Sequence, residues 1–265
     1  LQPSLTFTSL LHTNLRSEEP LKIMLFSALL TAAMMVVAFA VAKAARMDRS
    51  MGSAFMLATI FPNVGNYGLS VVMLAYGQAG LDKAIMLFVL QSIFSGTLSV
   101  AVASSSNASI GTALKQVFKL PQIYAVLLAL VCNLAQIQVP AFLATSTDLA
   151  SKAAIPLMLV MLGMQMARTT SIEEPKAVGA AVVVRLVVGV FVAFGITLAL
   201  GLEGDTRDVV LIQSAMPTAV FTTLMATEFN ARPRFVTSVV LATTVLSLIT
   251  VTALLAVLPG TAHLS

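Results

Sequence analysis

Apolar runs recur along the chain at 21–42, 54–76, 82–104, 119–138, 150–168, 177–201, 208–229 and 235–258, with short polar or charged stretches between them. Crossing ~30 Å of hydrocarbon takes about 17–25 helical residues, so each run is predicted to be one complete span. A ninth apolar stretch, Leu1 to Thr13, is too short to cross and is expected to be the tail of a helix whose beginning is missing. It has no basic region ahead of the apolar part and no small-residue cleavage site, so it does not read as a signal peptide.

One run is broken in its middle. Phe61-Pro62-Asn63-Val64-Gly65-Asn66-Tyr67-Gly68-Leu69 puts a proline, two amides and two glycines inside an otherwise apolar span. Within hydrocarbon every backbone N–H and C=O must be satisfied by protein, so an interrupted helix survives only when buried in protein or lining a polar cavity. The break is expected to mark a binding site.

Composition agrees with the pattern. Hydrophobic residues make up 58% of the chain and charged residues 10%, and mean hydropathy is +0.96, which together describe an all-α polytopic membrane protein. Cys132 is the lone cysteine, which excludes an intrachain disulfide and a thiol metal cluster. The formal charge of +4 comes from basic residues that flank spans, and no basic patch is interleaved with aromatics as nucleic-acid binding would require. Sorting loops by alternate sides puts Lys43, Arg46, Arg49, Lys115, Lys119, Arg168, Lys176, Arg232 and Arg234 on one side and Arg16, Lys22, Lys83, Lys152 and Arg207 on the other. The richer side is expected to be cytoplasmic, in a cell membrane, with the C-terminus outside. The Ser/Asn/Gly-rich stretch from Ser104 to Gln116 then forms a cytoplasmic hinge at mid-chain, where the sequon at Asn107 is a chance match.

A weak second copy of the break lies further along. Ala58 to Asn63 aligns with Gln213 to Thr218, so that Pro62 lies over Pro217, and Pro3 falls over Pro156 at a similar offset. Two halves of five helices each, 1–118 and 119–265, would enter the membrane from opposite sides. Inverted repeats of this kind characterise secondary transporters, whose paired broken helices meet near the midplane and offer N-terminal N–H groups to anions.

Pro62-Asn63-x-Gly65-Asn66-x-Gly68-Leu69, with Phe88-Val89-Leu90 in the next span and Met216-Pro217-Thr218-Ala219 later, resembles the auxin efflux carrier family over nearly the whole chain, beginning inside that family's second helix. The resemblance implies two inverted five-helix repeats with crossed, broken fourth and ninth helices, the bile-acid sodium symporter-like fold, and efflux of small organic anions by an elevator movement. It also implies a scaffold built from the opening helix, 119–138 and 150–168, through which two copies pair, and a moving domain from the other six spans. Without the long hydrophilic loop of the plant members, a small carboxylate such as malate or malonate is favoured over auxin.

The predicted substrate-binding residues are Pro62, Asn63, Gly65, Asn66 and Gly68 from the first break, with Gln213, Ser214, Pro217 and Thr218 from the second. Asn63 and Asn66 suit a carboxylate through their amide donors, or else cap half-helix ends; Gly65 and Gly68 permit close approach, or else serve helix packing. Arg185, alone inside a span, has two open roles: its long side chain snorkels to the cytoplasmic interface, or it faces the cavity and attracts the anion. Glu228 is the better coupling candidate of the acids near span ends, ahead of Asp148, and Gln91 is expected to brace helices. No cofactor or metal is expected. An enzyme is disfavoured because only His12 and His263 are available and no catalytic motif occurs. A channel or receptor and a sodium-coupled symporter remain as rivals; the break holds no Asp or Glu, which argues against sodium.

Overall fold

The computed structural model describes residues 2–12, 18–103, 121–167 and 173–258. Among these residues no strand forms, and the helices run α1 (Gln2–His12), α2 (Glu18–Ala44), α3 (Arg49–Ile60), a π-helical segment (Val64–Leu69), α4 (Ser70–Ala103), α5 (Pro121–Leu134), α6 (Ala141–Ala167), α7 (Pro175–Val183), a second π-helical turn (Val184–Val188), α8 (Gly189–Ala199), α9 (Gly204–Ser214), α10 (Phe221–Glu228) and α11 (Pro233–Val257). The hinge expected at Ser104 to Gln116 and the sequon at Asn107 lie outside the described residues.

Local chemistry sets the ends. Glu18 and Glu19 occupy the first turn of α2 and Lys43 its last, each sign matching the helix dipole. Asp48 caps α3 by accepting from the Met51 N–H at 2.9 Å, and Pro175 and Pro233 start α7 and α11, where a missing N–H costs nothing. At Gly77 the chain takes φ 61° and ψ −156°, a conformation open essentially to glycine, so the spans expected at 54–76 and 82–104 part there. α6 starts earlier than the run at 150 because its polar first turns satisfy themselves: Ser146 and Thr147 donate to the carbonyls of Phe142 and Leu143 at 2.7 and 2.8 Å.

Among the described residues four stretches, and not the eight expected, are long and apolar enough to cross a membrane by themselves, Glu18–Ala44, Val64–Ser99, Pro175–Ala199 and Pro233–Val257; the runs at 54–76 and 208–229 are each divided at their proline. Large apolar side chains such as Val36, Leu74, Phe142, Phe191 and Ile249 stand exposed on the outside, as lipid-facing positions should, while Phe26, Met34, Phe55, Phe61 and Phe235 fill the interior. Side chains also bond across the bundle: Ser27 and Thr31 donate to Oε1 of Gln91 at 3.4 and 3.3 Å, the bracing role expected for that amide.

Two groups of helices emerge from the packing. α1 lies between α5 and α6, and Asn133 of α5 donates to the last carbonyls of α1, Leu10 and Leu11, at 2.9 Å each. These three helices meet the rest chiefly through α4 and the first π-helical segment. The remaining helices pack around α2, α3, α4 and α9. Their ends are clamped by charges: Lys83 pairs with Glu19, and both bond Thr206, while Arg232 bridges Asp48 and Glu174 at 2.6 Å each at the opposite end. Lys83 and Arg232, which the loops sort to different sides, thus lie at different ends.

Candidate functional site

Two interrupted helices cross inside the bundle. α3 and α9 have 12 and 11 residues, about 18 and 16 Å at 1.5 Å per residue, so each stops roughly halfway through a ~30 Å core. Beyond them Pro62 and Thr218 form an isolated antiparallel bridge. The Asn63 N–H donates to the Pro217 carbonyl at 2.7 Å, and the Ala219 N–H to the Phe61 carbonyl at 2.9 Å. Proline suits both breaks because it has no N–H to leave unpaired and restricts the residue before it to extended backbone. Phe61 and Phe221 stack edge to face at 5.7 Å against the crossing.

Every residue expected from the two breaks is within or beside this crossing. Pro62, Asn63, Gly65, Gly68, Gln213, Ser214, Pro217 and Thr218 are buried, and Asn66 is half-buried. Their bonding differs. The Thr218 hydroxyl donates to the Ala58 carbonyl at 2.6 Å while its N–H is held by Oγ1 of Thr243 at 3.1 Å, and the Ser214 hydroxyl donates to Val210 at 2.6 Å. Both hydroxyl protons therefore hold backbone. By contrast Nδ2 of Asn63 and both amide atoms of Gln213 are buried with no hydrogen-bond partner. Such groups cost about 1–3 kcal/mol each if left unmet, which sets them apart from the hydroxyls beside them.

The glycines answer to close approach. A Cβ on Gly68 would collide with Gln213, whose Cδ would be 2.9 Å away, and one on Gly65 would meet the Phe88 ring at 2.8 Å. The first segment after the break is π-helical, with the Gly68 N–H reaching back to the Asn63 carbonyl at 3.0 Å. π-Helical turns widen the backbone and often mark functional positions.

Arg185 corrects the sequence reading. It does not snorkel: it is fully buried on the second π-helical turn. Nη1 donates to the carbonyls of Thr59 at 3.1 Å and Ile60 at 3.5 Å, and Nη2 to that of Ser214. The guanidinium thus joins the C-terminal ends of α3 and α9. Sequence reasoning singled out the residue but missed its partners, which are backbone carbonyls that carry no signature in the sequence. Glu228 is exposed at the far end of α10 from the crossing, and Asp148 pairs with Lys152 at 2.7 Å.

A cavity of about 630 Å³ opens between α1, α4 and α6, lined in part by Ser9, Met73, Gln78, Asp82, Lys152 and Pro156. Asp82 accepts from Ser9 of α1 at 2.7 Å across it, and from Gln78, one turn back on its own helix, at 2.9 Å. The cavity lies along the seam between the two groups of helices.

Comparison with known proteins agrees with this architecture. The chain is 25% identical over 252 residues to an uncharacterized transporter of Methanothermobacter thermautotrophicus, covering 93% of this chain and 82% of that one. It is 24% identical to an uncharacterized transporter of Methanocaldococcus jannaschii, over 77% of this chain and 67% of the other. A probable auxin efflux carrier component 1b of Oryza sativa subsp. japonica matches at 25% identity over 48% of this chain and 24% of its own length. Residues 1–255 match the family model described as membrane transport protein, and the chain belongs to that family, the family of the auxin efflux carriers.

Proposed function

We propose that this chain is a secondary active carrier that exports small organic anions, carboxylates first among them, by an elevator-type alternation across a cell membrane, with its C-terminus outside. The observation that carries this reading is the polarity of the crossing. The carbonyl ends of α3 and α9 are already met by Arg185, so the groups left to a ligand are mainly donors: Nδ2 of Asn63 and Nε2 of Gln213, with the acceptor Oε1 of Gln213 beside them, and the first-turn N–H groups of the segments after the breaks. Donors at helix N-termini favour negative charge. Asn63, Gly65, Asn66 and Gly68 would form one wall and Gln213 with the Pro217–Thr218 backbone the other, while Ser214 and Thr218 hold the crossing in shape.

Further features support the finer parts of the reading. The antiparallel sense of the Pro62 and Thr218 segments is what two halves of opposite topology, 1–118 and 119–265, would produce. A compact trio of α1, α5 and α6, joined to the rest mainly along α4 and the first π-helical segment, is the seam a sliding domain needs, and the cavity on that seam is a passage for the solute. Exposed apolar side chains on α5 and α6, among them Leu128, Val131 and Val160, suit pairing of two copies through the static trio.

The test begins with purified protein and a panel of carboxylates and indole acids, read by thermal stabilisation. A stabilising acid is then loaded into proteoliposomes. Saturable flux with trans-stimulation supports a carrier; flux that rises linearly with concentration and ignores the opposite face means a channel. Stabilisation by none of the acids, with uptake of a cationic or neutral solute, refutes the anion assignment.

A further inference from the structure

The crossing brings two helix C-termini to one point, and that creates an electrostatic problem independent of any transported solute. Each end carries a partial charge of roughly −0.5 from its unpaired carbonyls, so the pair presents about −1 where Thr59, Ile60 and Ser214 are all buried. Carriers with discontinuous helices commonly meet such carbonyls with a bound alkali cation. Here the Arg185 guanidinium fills that place, bonded to Thr59 and Ile60 at the end of α3 and to Ser214 at the end of α9. Its unit charge matches the sum of the two ends. No carboxylate shares it, because all its hydrogen-bond partners are main-chain oxygens.

The local backbone is arranged for this guest. The π-helical turn Val184–Val188 interrupts α-helical geometry at the residue that carries the guanidinium. One turn on, Gly189 leaves the space the head group needs, since a Cβ there would lie 3.1 Å from Nη2. Nε of Arg185 is left without a partner, so the side chain gives up one hydrogen bond in order to aim both terminal nitrogens at the carbonyls.

We propose that Arg185 is a tethered internal cation, which takes the place of a diffusible alkali ion at the crossing and lets the two broken helices assemble without sodium. This holds whichever solute the crossing carries, and the melting experiment below uses no transported solute.

The test is thermal unfolding followed with a thiol-reactive dye, for which the lone buried Cys132 is a ready reporter. Wild-type protein should melt at the same temperature in choline and in sodium buffers. Arg185→Ala should melt several degrees lower in choline and recover most of that loss on adding sodium or low, non-denaturing guanidinium, but not urea, which has a similar planar shape without charge. Arg185→Lys should stay insensitive to the exchange of choline for sodium. Should Arg185→Ala not accumulate, Arg185→Gln takes its place with the same expectation. Sodium-dependent stabilisation of the wild type overturns the proposal, as does an Arg185→Ala or Arg185→Gln protein that melts like the wild type or responds equally to urea and guanidinium.

Discussion

The two broken helices meet at one bridge yet use their polar groups in opposite ways. In the second, the hydroxyls of Ser214 and Thr218 hold Val210 and Ala58, and the Thr218 N–H is held in turn by Thr243. In the first, Asn63 sits at the break with its amide nitrogen unpartnered, and Gly65 and Gly68 let neighbouring side chains press against the backbone. One strand of the crossing is fastened and the other is open. Only Gln213, one residue before the fastened stretch, joins the open set. A site that must grip a solute and then release it needs both properties, a frame that does not move and donors that are not already satisfied.

The largest effect is expected at the closest approach. Gly68→Val forces two extra methyls and a Cβ into Gln213 and Met216, and overpacking of this kind costs about 1–3 kcal/mol, occasionally more; thermal unfolding should show it together with loss of solute binding. Next, Asn63→Ala should weaken binding of a stabilising carboxylate about 10–100-fold, the range for a hydrogen bond to a charged group at 1.5–3 kcal/mol. Its melting temperature should barely move, because the amide nitrogen has no protein partner to lose, and Gln213→Leu should behave alike. Thr218→Val should do the reverse, lowering stability by about 1–2 kcal/mol through the orphaned Ala58 carbonyl with a smaller change in affinity. If Thr218→Val and Asn63→Ala give the same profile, the division into frame and open donors fails.

The smallest effect concerns acid. Asp48 is held below the ordinary carboxylate range by the Met51 N–H first, with Arg232 adding to it. Its folded value is the lower one, so the stabilisation is present above the unfolded value of about 3.9 and fades as pH falls through the folded one. A melting profile should therefore be flat with respect to this group at neutral pH and decline below about pH 4, and Asp48→Asn should remove that part of the decline.

Much of the fold was legible because the bilayer limits the choices. Span length follows from hydropathy, and a proline flanked by amides and glycines inside a span has few uses, so Pro62 and its counterpart Pro217 announced the crossing. Gly77 could be read as a boundary since the two runs part on either side of it. What stayed hidden was the pairing of backbone with side chain. Arg185 was left open between the membrane face and the cavity, because its three acceptors are peptide oxygens on segments far away in the chain, and any residue supplies such an oxygen. The employment of Ser214 and Thr218 was hidden for the same reason. Hydroxyls read as potential solute contacts until the neighbouring carbonyls are located.

Arg232 also bears on how the helix ends are held together. It lies just before α11 and grips the carboxylates that precede α3 and α7, and two residues on Arg234 pairs with Glu173 at 3.2 Å. Two arginines therefore hold three carboxylates that lie just before α3 and α7, so the entrances of α3, α7 and α11 are tied at one end of the bundle by charge and not by packing alone.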